Sequence, residues 1–317
     1  LILSYMTTKK SFIFAFLSLM FVHLNCHSFY SFLKGASRVD ELVFSAAEAG
    51  MSALALTDTN GLYGAVSFYK SAQQAGIRAI FGAEIQSLNG KRAVILARNT
   101  KGFGEVCRII TDRHLREDFS LEMALKQSSH DVIILCPDPN LLEHIVRERG
   151  TNSIAVEVVP RRDNMMAELI AFSRRSRIPL VATNRVFFVH KKDWEIHRLI
   201  SAIKASSTID ALPKETVISP ESWLKPPEEM QKLFSDYPQA AINTLRVAEQ
   251  CEVELPIGRI RLPPFETPPG ETTFSFLKKL AREGIAKLYH PIPSAARERL
   301  HHELKVIQEL SLSSYFL

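Results

Sequence analysis

Residues Ala53-Leu-Ala-Leu-Thr-Asp-Thr-Asn-Gly-Leu-Tyr-Gly-Ala65 decide how the fold is read. The apolar run 53–57 has the length of a buried strand, and Asp58-Thr-Asn-Gly61 is turn chemistry. A helical pattern follows from Ala65 to Ala75 and stops at Gly76. Upstream, Met20-Phe-Val-His-Leu-Asn25 reads as a first strand, and Ser37-Arg-Val-Asp40 has the spacing of a capping box. Val39, Leu42, Val43 and Ala46 then recur at helical intervals before Gly50. Downstream, 78–81 is a strand that leads into Gly82-Ala-Glu84. Strand and helix thus alternate, which is the signature of parallel βα units.

The alternation continues. Residues 92–97, 131–135, 153–159 and 178–182 read as strands, and 104–114 and 164–176 as helices, the latter with Met165, Leu169 and Phe172 on one face. The count, six or seven parallel strands, suits a barrel at least as well as an open sheet. His27, Asp58, Glu84 and Asn184 gather just after strands, the edge where parallel barrels place their chemistry. Beyond Lys204 the composition changes. Prolines cluster at 213, 220, 226 and 227 and again at 256, 263, 264, 268 and 269, with helices over 227–234, 238–251, 272–289 and 295–310. The stretch 263–270 reads as a linker.

A chain of 317 residues with 46% hydrophobic and 23% charged residues is neither disordered, collagen-like nor a polytopic membrane protein. Thirty-nine basic against 34 acidic residues leave a net charge of +5, which permits nucleic-acid contact without demanding it. The four cysteines form no Cys-x-x-Cys pair, so free thiols in a reducing cytoplasm are expected. Lys9 and Lys10 before the apolar run 12–22 have the look of a secretory leader, but no small-x-small cleavage site follows. The preferred reading makes 1–19 a translated extension upstream of Met20. No Gly-rich phosphate loop, Ser-His-Asp set or Cys-His pair stands out.

The segment Phe21-Val-His-Leu-Asn-Cys-His-Ser-Phe-Tyr-Ser-Phe-Leu-Lys-Gly-Ala-Ser37 resembles the opening of the PHP (polymerase and histidinol phosphatase) domain. More narrowly, it resembles the PHP domain of the bacterial DNA polymerase III alpha subunit, including its error-prone relatives. The blocks 53–65, Phe81-Gly-Ala-Glu84, Pro179-Leu-Val-Ala-Thr-Asn184, Glu254-Leu-Pro-Ile-Gly258 and the closing Tyr-Phe-Leu317 agree, in order, from about Met20 to the last residue. The resemblance implies an α/β fold: a distorted parallel (β/α)7-type barrel over 20–262, followed by a mostly helical segment, 271–317, that begins a polymerase palm and thumb.

In the family, imidazoles and carboxylates at the strand ends hold a cluster of divalent metals, a donor set that suits zinc or manganese. This sequence departs from that pattern. Asn25 stands where the first histidine of His-x-His belongs, while His27 keeps the second. Lys34 stands for an aspartate, Thr59 for a histidine, Arg185 for an aspartate and Phe187 for a histidine. Glu84 is kept, His114 aligns loosely with another ligand position, and Asp138 more loosely still. Asparagine and threonine are poor ligands here and phenylalanine is none. Lys34 and Arg185 would repel a metal and can instead neutralise Glu84 and Asp58. No metal is therefore expected, with zinc or manganese only if the site still functions.

The palm aspartates of the family lie beyond Leu317, so the chain is expected to be truncated and unable to polymerise DNA alone. The leading expectation is a structural, DNA-proximal PHP module whose partners are DNA, the remaining polymerase core and replisome subunits, with no membrane role. The alternative is a metal-dependent phosphoesterase or 3′–5′ exonuclease. An exported binding protein is a third reading that rests on 9–22 alone. His23, the His301–His302 pair beside Arg297 and Arg299, and the Arg161–Arg162 pair read most simply as inert or solvated.

Overall fold

The computed structural model describes residues 21–160, 163–258 and 262–317. The leader 1–19, Met20 and the Arg161–Arg162 pair lie outside the described residues. The chain divides into two compact units, Leu1–Leu255 and Pro256–Leu317.

In the first unit, helix α1 (Val39–Glu48) precedes strand β1 (Ala53–Leu56), and α2 (Ala65–Ala75) leads to β2 (Arg78–Gln86) and β3 (Arg92–Ala97). Helices α3 (Thr100–Leu115) and α4 (Leu121–Gln127) follow. Then come β4 (Val132–Cys136), α5 (Pro139–Arg149), β5 (Ile154–Val158), α6 (Asn164–Ser176) and β6 (Leu180–Ala182). Helices α7 (Trp194–Lys204), α8 (Pro227–Leu233) and α9 (Pro238–Glu249) complete the unit.

The six strands lie in sequence order in one sheet. The expectation of an all-parallel sheet is corrected at β3, which runs antiparallel to both β2 and β4, while β1–β2, β4–β5 and β5–β6 are parallel. The physical reason is the short β2–β3 connection. Ser87 N–H bonds the Lys91 carbonyl at 2.9 Å and Gly90 takes φ +84°, a hairpin that leaves no room for a crossover helix.

The sequence-expected first strand is an extended segment rather than a ladder, and it closes the sheet. On one side Ala55 and Thr57 donate to the carbonyls of His23 and Cys26. On the other, His27 N–H bonds Val186 O and Val186 N–H bonds Asn25 O, just past β6. The segment 21–27 is thus a seventh stave, and it carries Asn25, Cys26 and His27 to the mouth.

Side-chain alternation along the strands sorts the core into two layers. Leu54, Leu56, Phe81, Ile95 and Ile134 pack outward under the helices. Val22, Leu24, Ala53, Ala55, Ile80, Val94 and Leu135 fill the interior with Leu245 and Ala248 of α9. On α6 the inward residue at the start is Met166, 8% exposed, not Met165, because the periodicity is set by Leu169 and Phe172 one turn on. Ser37 does not cap α1. Arg38 is the N-cap, and the Ser37 hydroxyl accepts from Val189 N–H instead. All four cysteines are free thiols. No helix among the described residues is long and apolar enough to cross a membrane.

In the second unit, Thr272 caps α10 (Thr273–Leu288) by accepting from Ser275 N–H. Helices α11 (Ser294–Glu309) and α12 (Ser313–Phe316) follow, and α10 packs against both.

Candidate functional site: a buried ion-pair network at the barrel mouth

Glu84 sits near the end of β2 with its side chain 1% exposed. A carboxylate that deep requires partners. Arg185 Nη2 lies 3.2 Å from both Glu84 oxygens, and Arg92 Nη1 lies 3.1 Å from Oε2. The same Arg92 nitrogen reaches Glu157 Oε2 at 2.6 Å. Glu157, fully buried in β5, also accepts from Asn25 Nδ2 at 2.7 Å and from the Thr183 hydroxyl at 2.8 Å. Two carboxylates and two guanidiniums therefore form one neutral chain across the mouth. Burial alone would raise the Glu84 carboxyl, but Arg185 and Arg92 outweigh it and hold Glu84 well below the usual carboxylate range.

His27 is fully buried beside this chain. Its ring lies face to face with Phe187, centroids 4.0 Å apart and planes 3° from parallel, and the Arg185 guanidinium stands 5.4 Å from the Phe187 ring centre. Nδ1 is 3.0 Å from the Ser31 hydroxyl, which itself donates to Asp58 at 2.7 Å. Nδ1–H therefore donates to Ser31, and Nε2 carries the lone pair. That lone pair has no hydrogen-bond partner and is 3.8 Å from Glu84 Oε2. Burial first, then the cations Arg185, Lys34 and Arg92, push the imidazole down to about 3, so it is neutral near pH 7. The guanidiniums, not the imidazole, keep Glu84 ionised.

Asp58 is satisfied differently. It accepts from Ser28 N–H, the Ser28 hydroxyl and the Ser31 hydroxyl at 2.7–2.8 Å. Burial raises its carboxyl, and these hydrogen bonds offset part of the rise. The expected pairing of Arg185 with Glu84 is present in the geometry. Lys34 makes no ion pair among the described residues and donates instead to Gln86 Oε1 at 2.6 Å. Thr59 lies at the edge of the group, its hydroxyl 3.4 Å from His27 Nδ1.

His114 is not brought into the buried group. It is exposed on α3 and bonds the Asn60 carbonyl at 2.7 Å through Nε2. Asp138 caps α5, accepting from Asn140 and Leu141 N–H. Asn184 donates to the carbonyls of Glu221 and Trp223. His23 is buried with Nε2 on the Lys225 carbonyl. The sequence reading missed Arg92 and Glu157. The available signal was a lone acid inside the apolar run Ile-Ala-Val-Glu-Val158, which has to meet a cation or donors once buried.

The residues do not fit a divalent cluster. Of the donor types such a cluster takes, His27 Nε2, Glu84 and Glu157 converge among the described residues, and Arg185 and Arg92 already hold the two carboxylates. On the surface, Glu41, His190 and Asp193 bring ligand atoms within 4.8 Å of one another.

Residues 23–149 match the model of the PHP domain. The error-prone DNA polymerase of Symbiobacterium thermophilum is 34% identical over 337 residues, covering 94% of this chain and 31% of that protein. The DNA polymerase III subunit alpha of Bacillus subtilis is 31% identical over 323 residues, covering 94% of this chain and 29% of that protein. The error-prone DNA polymerase of Mycobacterium bovis is 31% identical over 340 residues, covering 95% and 31%. The chain thus spans less than a third of the length of these curated relatives. It is a PHP-domain protein, homologous over nearly its whole length to the bacterial DNA polymerase III alpha and error-prone DNA polymerase family.

Proposed function

We propose that this chain acts as a non-catalytic PHP module of a DNA polymerase III alpha-type polymerase, with a structural and DNA-proximal role in replication or repair synthesis in the cytoplasm. The observation that carries the proposal is the occupation of both Glu84 oxygens by Arg185 and Arg92. Fixed guanidinium charge occupies the position a metal would need, and a neutral Phe187 ring covers the face of the one imidazole present. Such a closed polar network favours rigidity over chemistry. In this reading 20–262 form the PHP domain, 263–270 the linker, and 271–317 the start of the polymerase core. The partners are DNA, the rest of that core and replisome subunits.

A second reading, a metal-dependent phosphoesterase or 3′–5′ exonuclease, draws on one observation: the unpartnered His27 Nε2 that faces Glu84. Elemental analysis of the purified, dialysed protein, paired with a manganese-dependent phosphodiester hydrolysis assay, separates the two. The structural reading predicts far less than one equivalent of zinc, manganese or iron and no hydrolysis above blank. Near-stoichiometric metal with hydrolysis overturns it.

A further inference from the structure

Three metal-ligating side chains that take no part in the ion-pair network converge at one point. Glu41 stands in the first turn of α1, while His190 precedes and Asp193 ends the 3-10 turn Lys191–Asp193 that leads into α7. One imidazole nitrogen and two carboxylate oxygens lie within 4.8 Å of one another, with Glu41 and Asp193 half-buried and His190 exposed.

The backbone that carries them is fixed, although Glu41 and His190 are far apart in sequence. Ala36 N–H bonds Phe187 O at 2.9 Å and Val189 N–H bonds the Ser37 hydroxyl at 2.9 Å, so the chain entering α1 is stitched to the chain entering the turn. Asp193 N–H bonds His190 O, and His190 N–H bonds Asp193 Oδ2, each at 2.9 Å. Glu41 Oε2 accepts from Arg38 N–H at a long 3.4 Å. Each carboxylate thus gives one oxygen to a local backbone N–H and keeps the other.

The nearby cations are engaged elsewhere or point to solvent. Arg38 pairs with Asp40, Lys191 pairs with Glu221, and Lys192 is exposed. Among the described residues neither Glu41 nor Asp193 makes an ion pair. Two carboxylates this close repel, and the positive ends of α1 and α7 offset only part of that repulsion. A cation shared by both removes it. One nitrogen and two oxygens suit zinc or another borderline ion, whereas magnesium and calcium take oxygen ligands. Tetrahedral zinc spaces its ligand atoms roughly 3.4 Å apart, so the side chains need only rotate inward on this backbone.

We propose that Glu41, His190 and Asp193 bind one zinc ion, with water in the fourth position, as a clip that ties the start of α1 to the segment after β6. The two carboxylates cancel the charge of the ion and the imidazole coordinates as a neutral donor. An exposed three-ligand site exchanges its ion with solvent, so dialysis strips it, and the metal-free reading of the mouth is unaffected.

The test is calorimetric titration of zinc chloride into the dialysed full chain, with melting curves taken with and without zinc. Saturation at one equivalent and a higher melting temperature with zinc are expected. Glu41→Gln and Asp193→Asn keep an oxygen for the backbone N–H and remove the charge. They should melt like the parent without zinc, bind zinc at least about tenfold more weakly, and lose the zinc-dependent rise. His190→Asn should do the same. No saturable binding in the parent overturns the proposal. Binding by Glu41→Gln and Asp193→Asn equal to the parent also overturns it and assigns the ion to other donors, such as His301 and His302. Magnesium that displaces zinc at equal concentration overturns it as well, because the imidazole then contributes nothing. Binding that survives these three variants but is lost in His27→Gln puts the ion at the mouth and overturns the metal-free reading too.

Discussion

Replacing Arg185 with methionine tests the ion-pair network most directly. Two unit charges 3.2 Å apart at an effective dielectric of about 20 attract by about 5 kcal/mol. The Arg185 side chain is 31% exposed, and its own dehydration is relieved in the variant, so the net loss is smaller, about 2–3 kcal/mol. In Arg185→Met, Glu84 and Glu157 must share Arg92, and Glu84 loses the partner that most depresses its carboxyl. The sign follows. Glu84 has a folded-state pKa below its unfolded value, so its contribution is present above the unfolded carboxylate range and is lost as pH falls through it. The variant has less of that contribution to lose. The stability gap, read by urea denaturation of parent and variant at several pH values, should therefore be widest at pH 7 and shrink toward pH 4 as Glu84 protonates in the variant. A gap below about 0.5 kcal/mol at pH 7, or one that does not change with pH, refutes the idea that Arg185 neutralises Glu84.

Four further outcomes are expected. Phe187→Ala removes a fully buried ring stacked on His27 and should cost about 3–5 kcal/mol in chemical denaturation; a loss under 1 kcal/mol would mean the stack is dispensable. Gly35→Ala forces a methyl against the Ser28 carbonyl and should lower the melting temperature by several degrees; an unchanged melting curve would show that the loop has another way to close. His23 and His27, depressed to about 4 and about 3, refuse the protons that the unfolded chain accepts below its ordinary histidine pKa. Their contribution is complete above pH 6.5 and falls as pH drops, so stability should decline by about 2–3 kcal/mol between pH 7 and 5.5, and a flat profile would contradict neutral burial. Combining Asn25→His, Lys34→Asp, Thr59→His, Arg185→Asp and Phe187→His should convert the mouth to a manganese or zinc binder near one equivalent; a folded variant that takes up no metal would place the obstacle in Arg92 and Glu157.

The alternation of short apolar runs with 3.6-residue patterns placed β1, β2 and helices α1, α2, α6, α8, α9, α10 and α11 within a few residues of where they lie, because capping residues, Gly50, Gly76 and the prolines mark their ends. The sense of β3 was hidden because strand direction depends on connection length, and Ser87–Lys91 reads equally as a loop before another crossover. Helices α4, α5 and α7 went unassigned. On α7, Ile196, Leu199 and Ile203 are all exposed, so its apolar residues do not report a buried face. Glu84, His27, Arg185 and Phe187 were legible from their places in recognisable blocks. Arg92 and Glu157 were not, because an arginine at a strand start looks solvated and a single acid in an apolar strand gives no hint of which cation will meet it. The same limit misdirected Lys34, whose partner proved to be a neutral amide two residues beyond Glu84.

The main chain at position 185 takes φ +45°, a left-handed setting that aspartate and asparagine accept more readily than longer side chains. It is pinned on both flanks, by Asn184 reaching two carbonyls and by Val186 bonded to Asn25. The scaffold thus keeps a socket shaped for a short acid while housing a long base. Exchanging one for the other changes the charge beside Glu84, while the hydrogen bonds of Asn184 and Val186 that flank this turn use neither side chain.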